Sequence, residues 1–177
     1  SGHGRVQNER TITVRIPSGV ENGTRIQLRG EGEVGEAGGP SGDLYVELSV
    51  REHEIFHRDG SNLMACLTVS MVAAALGTTV NLDTFDGPRD ITIKPGTQPG
   101  DVVRLAELGV TALRSDRRGD ILVEVNVEVP TKLNGEEKEL LTRFAELRGE
   151  DDLKAPARNA GHSGGMFSKL KERLRDL

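Results

Sequence analysis

Glycines recur along this chain at a fixed interval, and that recurrence limits the possible fold more than any other feature. The segment IPSGVENGTRIQLRGEG at 16–32 runs parallel to IKPGTQPGDVVRLAELG at 93–109, and GDLYVELSV at 42–50 runs parallel to GDILVEVNV at 119–127. The offset is 77 in both pairs (93 − 16 and 119 − 42), so the copies align without a gap. Gly19, Gly23, Gly32 and Gly42 fall on Gly96, Gly100, Gly109 and Gly119. Ile16, Leu28, Asp43, Val46, Glu47 and Val50 also meet identical partners. Ten identities in a gapless window of 35 residues mark an internal duplication.

Each copy is β in character. TITVRI, TRIQLR and DLYVELSV in the first, and DVVRLAEL and ILVEVNVEV in the second, alternate apolar with polar residues as half-buried strands do. The paired glycines punctuate turns, where a residue without Cβ is favoured. The pattern predicts two small antiparallel β units in tandem. Between them, SNLMACLTVSMVAAALGTTVNLD at 61–83 reads as a strand, a short helical turn near MVAAAL stopped by Gly77, and another strand. Subtracting 77 from Leu63 gives a position before residue 1, so the first copy is expected to lack its N-terminal side and the chain to be a fragment of something longer.

After Pro130 the character changes. In NGEEKELLTRFAELRGE, Asn134 is the expected N-cap, Glu136 and Glu137 sit in the first turn, and Gly149 is the stop. Leu140, Leu141, Phe144 and Leu147 share one helical face. DDLKAPARNAGHSGG reads as a linker with no core to offer. MFSKLKERLRDL then places Phe167, Leu170, Leu174 and Leu177 at helical spacing, a stripe that either docks on its own domain or joins a partner chain.

Composition excludes several function classes. A formal charge of −5 argues against binding a phosphate backbone, and aromatics at 3% leave little for stacking on single-stranded nucleic acid. The single cysteine, Cys66, allows no internal disulfide and no multi-cysteine zinc site; inside LMACLTV it is predicted to be a small buried side chain. No apolar stretch approaches the roughly 20 residues of a membrane span and no signal-peptide profile opens the chain, so the expected location is cytoplasmic.

Two motifs imitate enzyme signatures. HEIFH at 53–57 is a literal H-E-x-x-H, in which His53 and His57 would bind zinc and Glu54 would activate its water. That chemistry needs a helix, because only there do residues i and i+4 project side by side toward one metal. Here a strand runs to Val50 and Arg58-Asp59-Gly60 is expected to turn directly afterwards, leaving room for at most about two helical turns. Ile55 and Phe56 read as core, and the other histidines, His3 and His162, lie in glycine-rich ends, so a metallopeptidase is the alternative function and the weaker one. GEGEVG at 30–35 matches G-x-G-x-x-G, but EAGGPSG after it cannot propagate a helix, and Glu31, Glu33 and Glu36 would repel phosphate. It reads as a loop between strands.

The stretches IPSGVENGTRIQLRGEGE, PSGDLYVELSVREHEIFHRDGSNL, VAAALG, GTQPGDVVRL and RRGDILVEVNVEVPTKLN together resemble the C-terminal region of zinc-containing DnaJ-type, J-domain co-chaperones over roughly residues 1–148. In that family the H-x-x-F of His53 and Phe56 recurs, whereas the residues matching Glu54 and His57 vary. The opening SGHGRV looks like the end of the family's C-x-G-x-G zinc motif with its cysteine removed. The resemblance implies zinc in a parent protein but no cofactor in this chain, and a DnaK-type chaperone as a partner reached through a J-domain that this sequence lacks. It implies a mainly β fold of two tandem β-sandwich-like domains, the first incomplete (1–57), the second at 58–131. A helical dimerisation segment at 132–177, with a flexible linker at 149–165, would follow. Unfolded client polypeptides would dock on an apolar groove to which Ile12, Val46 and Phe56 contribute, partly by strand addition. A homodimer would form through Leu140, Leu141, Phe144, Leu147, Phe167, Leu170 and Leu174. The function implied is client binding and dimerisation, without catalysis, nucleic acid or membrane.

Overall fold

The computed structural model describes residues 9–35 and 39–150. They fall into two compact units, Ser1–Pro130 and Thr131–Leu177. The first is mainly β, with eight strands among its described residues: β1 (Arg25–Leu28), β2 (Leu44–Glu47), β3 (His57–Asp59), β4 (Asn62–Ser70), β5 (Thr78–Thr84), β6 (Gly87–Ile93), β7 (Val102–Leu105) and β8 (Ile121–Glu128). One helix, α1 (Met71–Leu76), lies between β4 and β5. Strands β1 and β2 form one ribbon, β5 and β6 a second, and β3-β4-β8-β7 a four-stranded sheet.

The duplication is reproduced bond by bond. In the first copy β1 pairs antiparallel with β2 from Arg25 opposite Glu47 to Leu28 opposite Leu44. In the second, β7 pairs with β8 from Val102 opposite Glu124 to Leu105 opposite Ile121, the same register 77 residues on. The Gly32 N–H donates to the Gly42 carbonyl at 2.8 Å, and the Gly109 N–H donates to the Gly119 carbonyl at 2.8 Å. Asp43 accepts from the Gln27 amide and the Gly30 N–H; Asp120 accepts from the Arg104 guanidinium and the Glu107 N–H. The shared aspartate thus closes the same turn twice. The shared glycines allow the chain to cross itself there, since a Cβ on Gly109 would come within 2.5 Å of the Ser61 carbonyl.

Four features depart from the sequence expectation. The second unit of the duplication is not purely antiparallel: β4 runs parallel to β8 from Leu63 opposite Ile121 to Ser70 opposite Glu128. Parallel neighbours need a long crossover, and α1, β5, β6 and β7 provide it. The stretch Thr11–Ile16 forms no strand, whereas its counterpart 77 residues later lies in β6 and pairs with β5. A strand is defined by its hydrogen-bonded neighbour, and among the described residues Thr11–Ile16 has none. Arg58 and Asp59 belong to β3, so the turn is carried by Gly60 and Ser61 instead of starting at Arg58. Cys66 is exposed, contrary to the buried side chain expected. Strand parity explains it: Leu63, Ala65 and Val69 of β4 face the core, and Cys66 points the other way.

The helices follow their local signals. Ser70 caps α1 by accepting the Ala73 N–H, and Gly77 ends it with φ +82. In the second unit Asn134 and Glu137 form a capping box at the start of α2 (Gly135–Arg148), and Gly149 ends it in the left-handed region.

The core is lopsided. Its buried side chains are Phe56, Leu63, Ala65, Val69, Ala74, Ile91, Ile93, Ile121, Val123 and Val125, all from the second copy or the connector leading into it. Ile93 is 1% exposed while its twin Ile16 is 57% exposed.

One strained position tests the repeat. Gly30 and Glu107 occupy equivalent sites at φ +70 and +57, so a glutamate sits where the other copy has glycine. The left-handed cost for a residue with Cβ exceeds glycine's entropic cost, so Glu107→Gly is expected to raise unfolding free energy by about 0.5–1 kcal/mol. Urea unfolding measures it; a loss of stability would show that the Glu107 side chain contributes more than its strain removes.

Candidate functional site

The H-E-x-x-H stretch is a connector without helix, so the geometry zinc needs is not formed. His57 opens β3. His53 turns back on its own backbone: its Nδ1 accepts the Ile55 N–H at 3.1 Å and the Phe56 N–H at 3.3 Å. Its ring lies 5.3 Å from Phe56 and 5.2 Å from Phe85, and those two rings are 5.7 Å apart. Among the described residues no three His, Cys, Asp or Glu side chains gather as a metal site. With Cys66 as the one cysteine, its side chain exposed, the donor set does not fit the zinc of the resembling family.

A groove of about 680 Å³ runs beside the connector. Glu21, Asn22 and Val50 line it together with Phe56, Leu63 and Val110. Phe85, 66% exposed at the β5–β6 turn, stands at its rim. Sequence reasoning missed Phe85, although a phenylalanine in the turn sequence TFDG, where polar residues are favoured, was a readable signal. Arg118 fixes that turn: its guanidinium donates to both Asp86 carboxylate oxygens, at 2.9 and 2.7 Å, and to the Gly109 carbonyl.

The three groove residues expected from sequence occupy different environments. Phe56 is 5% exposed and belongs to the core, although it also lines the groove. Val46 and Ile12 are half-buried. Val46 sits opposite Ile26 on the β1–β2 ribbon, with Leu28 and Leu44 on the same face. Ile12 lies in the extended segment before β1. The contrast with the second copy is sharp: Ile121, Val123 and Val125 of β8 are 0–1% exposed, while their twins Leu44, Val46 and Leu48 are only half-buried. Strand β8 has β7 on one edge and β4 on the other; among the described residues β2 pairs with β1 alone.

In the second unit, α2 exposes an apolar stripe. Leu140, Phe144 and Leu147 are exposed and Leu141 is half-buried, with the Arg148 guanidinium 5.6 Å from the Phe144 ring. Phe167, Leu170, Leu174 and the linker beyond residue 150 lie outside the described residues. No described helix is long and apolar enough to cross a membrane.

A duplicated Gly–Asp β repeat, joined by an H-x-x-F connector and followed by a capped helix, defines a tandem β-domain protein. Residues 3–130 match the DnaJ C terminal domain, and the chain belongs to that family. It is 50% identical over 169 residues to chaperone protein DnaJ 2 of Streptomyces avermitilis, covering 96% of this chain and 44% of the relative. It is 47% identical to chaperone protein DnaJ 1 of Nocardia farcinica (96% and 44%) and 46% identical to chaperone protein DnaJ of Agrobacterium fabrum (95% and 43%). The chain therefore spans less than half the length of these relatives.

Both structural aspartates are held below the usual carboxylate range, Asp86 by hydrogen bonds from Arg118 and Asp120 by those from Arg104 and the Glu107 backbone. A depressed folded pKa stabilises above the unfolded value, near 3.9, and the stabilisation is lost as pH falls through the folded value. Stability is thus expected to drop below about pH 4, and less steeply in Asp120→Asn. Urea midpoints measured from pH 6 to pH 2 check this; identical acid limbs would remove Asp120 as a contributor.

Proposed function

We propose that this chain is the client-binding and dimerising part of a DnaJ-type co-chaperone, acting in the cytoplasm without catalysis of its own. The observation carrying this reading is the unequal burial of the two copies. The same apolar alternation that is sealed at β8 is left half-open on the β1–β2 ribbon, around Val46 and Ile12. An extended, unfolded polypeptide suits that surface: backbone hydrogen bonds to a strand edge are blind to sequence, and an apolar face asks only for apolar side chains. Phe56 would support the surface from the core.

The exposed Leu140, Phe144 and Leu147 stripe supports a homodimer through the second unit, with Leu141 and, beyond the described residues, Phe167, Leu170 and Leu174 continuing it. Two tethered weak sites hold one client through effective concentration without strong single contacts. Delivery to a DnaK-type chaperone would belong to a longer protein that carries a J-domain, as would any zinc.

Phe56 is unsuited to testing the surface, because a buried phenylalanine truncated to alanine costs about 3–5 kcal/mol of stability. Val46→Asp and Ile12→Asp are the informative variants. Each is expected to weaken binding of a denatured model client at least about tenfold, or 1.4 kcal/mol, by fluorescence anisotropy. Tyr45→Ser, on the opposite ribbon face, should leave it unchanged. Unaltered affinity in both aspartate variants would remove this surface.

Sedimentation addresses the dimer. The 177-residue chain is expected to dimerise with rising concentration, and a chain ending at Thr131 to stay monomeric. A dimeric truncated chain would place the interface elsewhere.

A further inference from the structure

The residues of the protease-like stretch hold positions that its chemistry does not explain but its neighbours do. Arg58 follows immediately in β3, and its guanidinium donates in three directions. Nε donates to the Gly60 carbonyl at 2.8 Å, Nη1 to the Val20 carbonyl at 2.6 Å and Nη2 to the Gly19 carbonyl at 2.8 Å. The last two acceptors are 38 and 39 residues away, in the first copy's Gly19 turn. That turn meets the second copy once more: a Cβ on Gly19 would lie 2.1 Å from the Thr111 carbonyl oxygen and 3.0 Å from the Leu113 nitrogen, so backbone there packs on backbone.

Both contacts end on one body. The Val110 N–H donates to the Ser61 carbonyl at 2.8 Å, tying the 109–113 loop to the β3–β4 turn. On the first copy's side, Asn22 accepts the Val50 N–H at 2.9 Å and the Gly23 N–H donates to the Leu48 carbonyl at 2.8 Å, tying the turn to β2 and the residues after it. Between Val50 and His57 the connector contains no helix or strand that could set the angle between the copies. His53 stiffens it by accepting two backbone N–H groups, and Phe56 anchors it in the core.

We propose that residues 53–58 form an inter-repeat lock in which Arg58 is a positioning residue, holding the Gly19 turn against the second copy. The lock sets the width of the groove lined by Glu21 and Asn22 of the first copy and by Leu63 and Val110 of the second. An arginine is required because a planar fork reaches several carbonyls at fixed angles, while a lysine ammonium is a single point charge on a flexible stem. This role is independent of whether the β1–β2 face binds clients.

The test is a distance between copies. Spin labels on the native Cys66, exposed in β4, and on Arg29→Cys, in the turn directly after β1, report it by double electron–electron resonance. Diluting with unlabelled chain restricts the signal to single molecules. The otherwise unaltered chain should give one narrow distance distribution. Arg58→Ala and Arg58→Lys should both broaden it, while circular dichroism and amide protection of β4 and β8 stay unchanged. If an Arg58 variant fails to fold, Gly19→Ala probes the same contact from the other side, because its methyl must lift the turn off Thr111. A broad distribution in the parent overturns the lock, as does a distribution as narrow as the parent's in the variants that fold.

Discussion

The parallel ladder between β4 and β8 is the interaction on which the rest of the structure depends. It joins segments 58 residues apart, Leu63 to Ile121 and onward, and gives β8 a neighbour on each edge. With β4 along one edge and β7 along the other, β8 holds Ile121, Val123 and Val125 beyond solvent. Around that strand the core assembles. α1 caps the crossover, β5 and β6 supply Ile91 and Ile93, and Phe56 closes the side from which the connector arrives.

The first copy shows what the same sequence does without that ladder. Its Gly–Asp turn, its strand register and its apolar alternation match those of the second copy, so the ribbon forms from signals within each copy. Burial does not follow. Val46 and Val123 are the same residue in the same register, and one is half-buried while the other is 1% exposed. An apolar surface formed in this way is a property of what lies beside a strand.

The stretch HEIFH makes the converse point. Its spacing is correct for a zinc protease and its scaffold is wrong, because side chains four apart converge only on a helix. Placed in a connector, His53 becomes a hydrogen-bond acceptor for its own loop, Phe56 a core anchor and His57 the first residue of a strand. The five residues act through backbone geometry and packing.

Much of this was legible along the chain. The 77-residue repeat, the ribbon strands, the stop at Gly77 and both caps of α2 are written in short-range patterns, and short-range patterns respond to local backbone preferences. The groove was less so. Arg58 reads as part of a turn, Phe85 carries no reading and Cys66 reads as a buried residue, because their partners lie tens of residues away or because strand parity alone decides their direction. By itself the sequence determined the repeat unit, its turns and its helix ends, since each rests on contacts within a few residues or on a spacing that recurs. Tertiary structure alone decided which copy is buried, which carbonyls Arg58 reaches and which way Cys66 faces. Those depend on strand neighbours brought together across the fold.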